Sequence, residues 1–226
     1  MHSEDFIVPQ WQGPPGVRAL FTTRAIDVPG ERLRAALPSD PVWLRQVHGA
    51  ACVEVDRPQD DPPAADAAVT RTPGLPITVR TADCLPVLMA DRAGTVVGVA
   101  HAGWRGLAAG VLESALAALR VAPREVCAWI GPAIGPERFE VGADVHEAYC
   151  ASEPGCAAHF RPLREGKWLA DLPGLARRRL ARAGVAHVAG GAWCTHTDAA
   201  RFHSYRRENG AGRMALVAWI DARDPR

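Results

Sequence analysis

Two histidines and a cysteine stand where short apolar runs give out: His48 closes VWLRQVHG, Cys84 follows ITVRTAD, and His101 ends VVGVAH. Zinc prefers nitrogen and sulfur ligands, and a catalytic zinc site takes three from the protein and leaves one position for water or substrate. His48, Cys84 and His101 meet that count, with Asp83 at hand either to orient a histidine or to act on a substrate. The same residues allow a metal-free reading, in which Cys84 is a nucleophile with His101 as its base and one histidine is surplus. A third reading makes the histidines structural polar residues and Cys84 an ordinary buried thiol. The three are separated by 36 and then 17 residues and no CxxC pair occurs, so any metal site must be assembled from distant segments.

Three other groups carry chemistry. Arg105 lies in the glycine-flanked turn HAGWRG. A helix beginning directly after Gly106 would present unpaired backbone N–H groups there to an anion such as phosphate, with Arg105 adding charge. Arg206 and Arg207, after Ser204 and Tyr205, either bind phosphate or a carboxylate through charge-assisted hydrogen bonds or form a solvated basic turn. Trp104, Trp193 and Phe202 offer faces for a purine, although aromatic residues in strands more often belong to the core. Cys194 reads as structural first, and Cys150 and Cys156 as incidental.

Positioning these residues falls to strands expected over 17–22, 42–47, 51–55, 77–81, 126–130, 185–188 and 214–220, with 66–69 leading into a turn at Pro73-Gly74. The apolar runs 86–90 and 95–100, separated by Asp91-Arg-Ala-Gly94, form a hairpin signal that leaves His101 at the end of its second strand. Leu107, Val111, Leu112, Ala115, Leu116 and Leu119 recur at helical spacing and predict one helix over 107–119. Further helices are expected over 140–149, broken by 152–155, and over 169–183, stopped by Gly184. Residues 25–41 hold a turn, one or two helical turns and another turn, and 56–65 are a loop rich in proline and aspartate. Without regular βαβ alternation or a GxGxxG turn, the pattern is α+β, with adjacent hairpins and few helices.

The 226 residues, 48% apolar and 23% charged, are most simply one domain, with residues 1–16 a peripheral N-terminal extension. A net charge of +1 gives no electrostatic reason for a nucleic-acid or membrane partner. No basic segment leads into an apolar leader and no apolar run reaches 18 residues, so a cytoplasmic protein is expected. Six cysteines are too sparse for a disulfide scaffold.

The motifs Arg45-Gln-Val-His-Gly49, Asp66-Ala-Ala-Val-Thr70, Thr81-Ala-Asp-Cys-Leu-Pro-Val87, His101-Ala-Gly-Trp-Arg-Gly106, Ile130-Gly-Pro-Ala-Ile-Gly135 and Ser204-Tyr-Arg-Arg207 resemble, in order, those of one family. That family is DUF152, the YfiH or laccase-domain proteins, also labelled multicopper polyphenol oxidase or peptidoglycan editing factor PgeF. The resemblance runs from about residue 17 to 220. It implies a single α+β domain of CNF1/YfiH-like fold, with mixed and antiparallel sheets and flanking helices, and one zinc per chain held by His48, Cys84 and His101. It also implies phosphorolysis of adenosine, inosine and 5′-methylthioadenosine, together with deamination of adenosine, in a monomer or weak homodimer. Asp83, Cys84, His101 and Arg105 are then the catalytic candidates, and Arg24, Arg45, Arg105, Arg206 and Arg207 the candidates for holding substrate or phosphate. A cysteine or zinc hydrolase that edits peptidoglycan precursors is the alternative, and a laccase-like polyphenol oxidase another. Copper fits less well than zinc, because a multicopper centre needs more histidines at paired spacings than the eight here. Two departures from the family pattern stand out: residues 25–40 are short where a glycine-rich segment is usual, and Glu137-Arg138 stand where cysteine is common. If the usual segment closes over substrate, the short form opens the pocket.

Overall fold

The structure is a computed structural model and describes residues 5–151, 155–210 and 212–222. Its strands are β1 (Phe6–Ile7), β2 (Val17–Thr22), β3 (Cys52–Glu54), β4 (Ala67–Thr70), β5 (Ile77–Thr81), β6 (Leu85–Asp91), β7 (Val97–Ala102), β8 (Val126–Ile130), β9 (Glu140–Gly142), β10 (Phe160–Arg164), β11 (Lys167–Ala170), β12 (His187–Gly190) and β13 (Met214–Ile220). Its helices are α1 (Glu31–Ala35), α2 (Trp104–Ala109), α3 (Val111–Leu119), α4 (Ala143–Cys150), α5 (Leu172–Arg182) and the single turn α6 (Tyr205–Glu208). The strands form a sheet ordered β1-β2-β13-β5, a mixed sheet ordered β12-β8-β6-β7-β4-β3 and a small sheet ordered β10-β11-β9. This is the expected α+β fold, and Phe6–Ile7 of the N-terminal segment adds an edge strand to the first sheet.

The two larger sheets face each other. Phe21, Ile77, Val79, Leu216 and Ala218 from the first meet Ala68, Leu88, Val97, Val99 and Trp129 from the second in one buried cluster. The second sheet's other face packs on Val111, Leu112, Ala115 and Leu119 of α3 and on Leu172, Leu175 and Leu180 of α5. With both faces covered, every residue of β6, β7 and β8 is buried, which is why these segments read as continuous apolar runs instead of alternating. On the outer face of the first sheet, Ile26 and Leu33 from the short 25–40 segment pack against Leu20, Ala215 and Val217.

Four expected elements take a different form. Residues 42–47 are not a strand: Val42 and Arg45 make isolated bridges to Ile77 and Ala64. The free edge of β5 is served instead by side chains. The Gln46 amide donates to the Arg80 carbonyl and accepts from its N–H, both at 2.8 Å, and Thr78 Oγ1 donates to the Val42 carbonyl. The expected 107–119 helix starts earlier, at Trp104, and is split at Gly110, whose φ of +97° is left-handed and ends α2 before α3 begins. Apolar periodicity survives that break, so the pattern could not reveal it. The segments 140–149 and 169–183 each open with strand residues, because β9 pairs with β11 before α4 and α5 start. Asp171 caps α5, accepting from Gly174 N at 2.9 Å. In the expected break over 152–155, residues 152–154 lie outside the described residues.

Candidate metal centre and its cavity

The β6–β7 hairpin closes the 17-residue gap between Cys84 and His101. Its register pairs Leu85 with Ala102 and Pro86 with His101, which leaves Cys84 and His101 at the same open end. Gly103 follows there because a Cβ on it would lie 2.9 Å from Cys84 Sγ. His48 reaches the same end from the loop after residue 47, in a left-handed backbone conformation with φ of +60°. Among the described residues, these three bring ligand atoms within 4.8 Å of one another.

Asp66, just before β4, lies beside His101. Its Oδ1 is 2.8 Å from His101 Nδ1, and its backbone carbonyl accepts from His101 N at 2.7 Å. The same carboxylate accepts from the N–H groups of Val47, His48 and Gly49 at 3.1, 3.0 and 2.7 Å. Burial raises the Asp66 pKa, but the His101 hydrogen bond, the Gly49 and Val47 amides and the His101 charge outweigh it and hold the carboxyl below its ordinary range. Burial likewise pushes the Cys84 thiol up, and the hydrogen bonds and charge of His101 and His48 outweigh that, bringing it to about 6. His101 is shifted upward, its bonds to Asp66 and Cys84 overcoming the effect of burial.

The histidine is therefore oriented by Asp66, not by Asp83. Asp83, at φ +88°, spends its carboxylate on the far wall, accepting from Thr195 Oγ1 at 2.6 Å, Ser204 Oγ at 3.0 Å and Arg206 N at 2.7 Å. Only the Asp-Ala-Ala-Val-Thr motif in the resemblance drew attention to residue 66, and no local pattern signalled its contact with His101.

A cavity of about 750 Å³ opens above the three candidate ligands, a volume within the range of small-molecule sites. His48, Asp83, Cys84, His101, Arg105 and Arg206 line it. Arg105 stacks its guanidinium over Trp104, 4.3 Å from the ring centroid. Arg206 lies over Phe139 and donates to the Glu140 carbonyl at 3.0 Å. The anion expected at a helix start after Gly106 would face a six-residue helix that begins at Trp104, so the charge there comes from the Arg105 side chain.

Three expected arginines are placed elsewhere. Arg24 donates to the Ala199 carbonyl and to Glu208, and Arg45 is exposed at the bridge to Ala64. Arg207 is spent on the carbonyls of Thr195, His196 and Phe202, each at 2.7 Å, and on Glu208. In exchange the cavity recruits Arg80, from the end of β5, and Arg213, from just before β13. Neither belongs to a motif that signals chemistry; the pairing of β5 with β13 brings them to the same region. Of the aromatic candidates, Trp104 lines the cavity and is joined by Phe139 and Tyr205. Phe202 is buried edge-on against Phe21, and Trp193 packs on Trp129. No residue of the 25–40 segment is among those lining the cavity. Glu137 pairs with Arg161 at 2.5 Å.

A family model described as multi-copper polyphenol oxidoreductase laccase matches residues 24–221. The chain belongs to this laccase-domain family, DUF152 or YfiH. It is 45% identical to a protein of Escherichia coli strain K12 named purine nucleoside phosphorylase YfiH, covering 95% of this chain and 98% of that one. A purine nucleoside phosphorylase of Xylella fastidiosa strain Temecula1 is 44% identical, with 95% and 96% covered. Among solved structures, a DUF152 protein of Neisseria meningitidis superposes with a TM-score of 0.91 at 41% identity, covering 96% of this chain and all of that one. YlmD of Geobacillus stearothermophilus gives 0.82 at 28% identity, with 92% and 93% covered.

The donor set fits zinc: two imidazoles, one thiol whose pKa is depressed, a carboxylate behind one histidine, and a cavity on the remaining side. A multicopper centre would need further clusters of ligands, and among the described residues the trio supplies one metal position. No described helix is long and apolar enough to cross a membrane.

Proposed function

We propose that the chain is a zinc-dependent purine nucleoside phosphorylase that cleaves adenosine, inosine and 5′-methylthioadenosine, and that the same cavity deaminates adenosine. The observation that carries this reading is the convergence of His48, Cys84 and His101 under a cavity walled by arginine and aromatic side chains. The names carried by relatives more than 40% identical over nearly the whole chain support it.

Zinc held by His48, Cys84 and His101 would supply Lewis acidity at the cavity floor. Arg105 and Arg206 hold phosphate on the wall formed by α2 and Phe139, where charge-assisted hydrogen bonds place an oxygen for attack at the ribose C1′. Trp104, Phe139 and Tyr205 offer flat faces to the purine. Ile134 and Leu172 add apolar surface to the cavity lining. Asp83 acts by holding the 204–206 segment, and so Tyr205 and Arg206, against the cavity.

The test is metal analysis of protein purified without added metal, followed by adenosine assays with and without phosphate. Stoichiometric zinc, phosphate-dependent formation of ribose 1-phosphate with release of adenine, and loss of both zinc and turnover in Cys84→Ala are expected. A Cys84→Ala protein that keeps zinc and activity refutes the metal assignment. The depressed Cys84 thiol beside His101 favours one second reading, a cysteine hydrolase of the kind that would edit peptidoglycan precursors. Metal-free protein with full activity and a Cys84 that alkylation inactivates would select it.

A further inference from the structure

Asp66 is fully buried and its two oxygens receive four donors. Oδ1 takes His48 N and His101 Nδ1, while Oδ2 takes Val47 N and Gly49 N. A carboxylate is acceptor-only, so it can satisfy all four without offering a proton to any of them. The two candidate ligands it touches arrive from separate segments, His101 at the end of β7 and His48 on a loop whose φ of +60° costs free energy unless something holds it. The three amides bound to Asp66 are that hold. The ring bond fixes His101 as the tautomer with hydrogen on Nδ1, which leaves the Nε2 lone pair for a metal.

We infer that Asp66 is the positioning residue of the metal centre, a single carboxylate that sets the ring of one histidine ligand and the backbone of the other. The inference rests on the metal reading of the trio given above. It assigns Asp66 no contact with substrate and no proton transfer. The bonding pattern explains why an isosteric amide does not substitute. If Asn keeps its oxygen on His101 Nδ1 and His48 N, its NH2 group opposes the N–H groups of Val47 and Gly49, and the loop loses its acceptor on either side of His48. If the NH2 group turns to His101, the ring must accept at Nδ1 and carry its hydrogen on Nε2, where it no longer ligates. Either orientation costs one histidine.

The experiment measures zinc affinity of purified wild type and Asp66→Asn by competition with a chromophoric chelator, together with the visible spectrum of each protein loaded with cobalt. Asp66→Asn is expected to bind zinc about 10–100-fold more weakly, the range seen when the outer partner of a metal-bound histidine is removed. Its cobalt spectrum should keep the thiolate-to-metal band from Cys84 while its ligand-field bands change. The substitution is repeated in His48→Ala and His101→Ala backgrounds, and zinc affinity should fall further in both. A residue serving His101 alone would leave the His101→Ala background unchanged, which would overturn the double role. Equal zinc affinity and an unchanged cobalt spectrum in Asp66→Asn would overturn the inference entirely. Wild type that takes up no stoichiometric zinc would instead defeat the metal reading beneath it. Should Asp66→Asn fail to fold, long-range proton–nitrogen NMR of the zinc-loaded wild type decides: His101 should carry hydrogen on Nδ1, and a hydrogen on Nε2 or ligation through Nδ1 would refute the assignment.

Discussion

Asp83 accepts a hydrogen bond from Thr195 Oγ1 at 2.6 Å, tying the residue before the candidate ligand Cys84 to a loop 112 positions later. With Ser204 Oγ and Arg206 N on its other oxygen, the carboxylate works as an anchor. Removing it in Asp83→Ala should cost about 3 kcal/mol of stability, at roughly 1 kcal/mol per lost bond, and raise KM for phosphate by loosening Arg206. Asp83→Asn should cost less, since the amide oxygen can keep Ser204 Oγ and Arg206 N while the Thr195 hydroxyl rotates to accept from the NH2 group. Denaturant titration and phosphate KM check this; an Asp83→Asn protein of unchanged stability and phosphate KM with kcat abolished would mean that Asp83 transfers a proton.

The arginines divide by what their guanidinium groups touch. Arg105→Ala and Arg206→Ala should each raise KM for phosphate about 10-fold or more, given roughly 1.5–3 kcal/mol for a charge-assisted bond, with little change in Tm. Arg207→Ala should do the reverse. It strands the carbonyls of Thr195, His196 and Phe202, costing about 2–3 kcal/mol, and phosphate KM should move little in the folded fraction. Thermal melts set beside phosphate titrations separate the two classes.

Thiol chemistry offers a pH signature. In protein stripped of metal, the Cys84 pKa of about 6, lowered from 9.0, keeps the thiolate populated above pH 6 and loses it as pH falls through that value. The rate of iodoacetamide modification of Cys84 should therefore rise with a midpoint near pH 6. His101→Ala removes the strongest opposing influence on burial and should move the midpoint upward. A wild-type midpoint near 9 would contradict the geometry, and zinc should protect Cys84 throughout.

Gly110 separates α2, which carries Trp104 and Arg105, from α3. A Cβ there would meet Glu113 Oε2 at 3.6 Å and Arg179 Nη2 at 4.0 Å, both ordinary contacts, so the penalty in Gly110→Ala is conformational. At φ +97° it should be about 1–2 kcal/mol, read as a lower midpoint in denaturant.

By itself the sequence determined much of the framework. Strands such as 77–81, 126–130 and 214–220 are local consequences of apolar, β-branched runs closed by turn residues, and they appear with those bounds. The hairpin around Asp91 to Gly94 was equally legible, and with it the placement of His101 at a strand end near Cys84. The candidate ligands could be named because His and Cys are chemically conspicuous, but their types and spacing left metal, nucleophile and structural readings open, and the family resemblance pointed to the first. Only the tertiary structure decided what stands behind and around them. Asp66 serves His101 because β4 pairs with β7, and Arg80 and Arg213 share a cavity because β5 pairs with β13. Arginine type alone did not separate Arg206, which faces the cavity, from Arg207, whose side chain is consumed by three carbonyls. Local sequence encodes propensity and chemical type; which polar groups meet depends on strand pairing between distant segments and on which buried donors and acceptors are left for each side chain to satisfy.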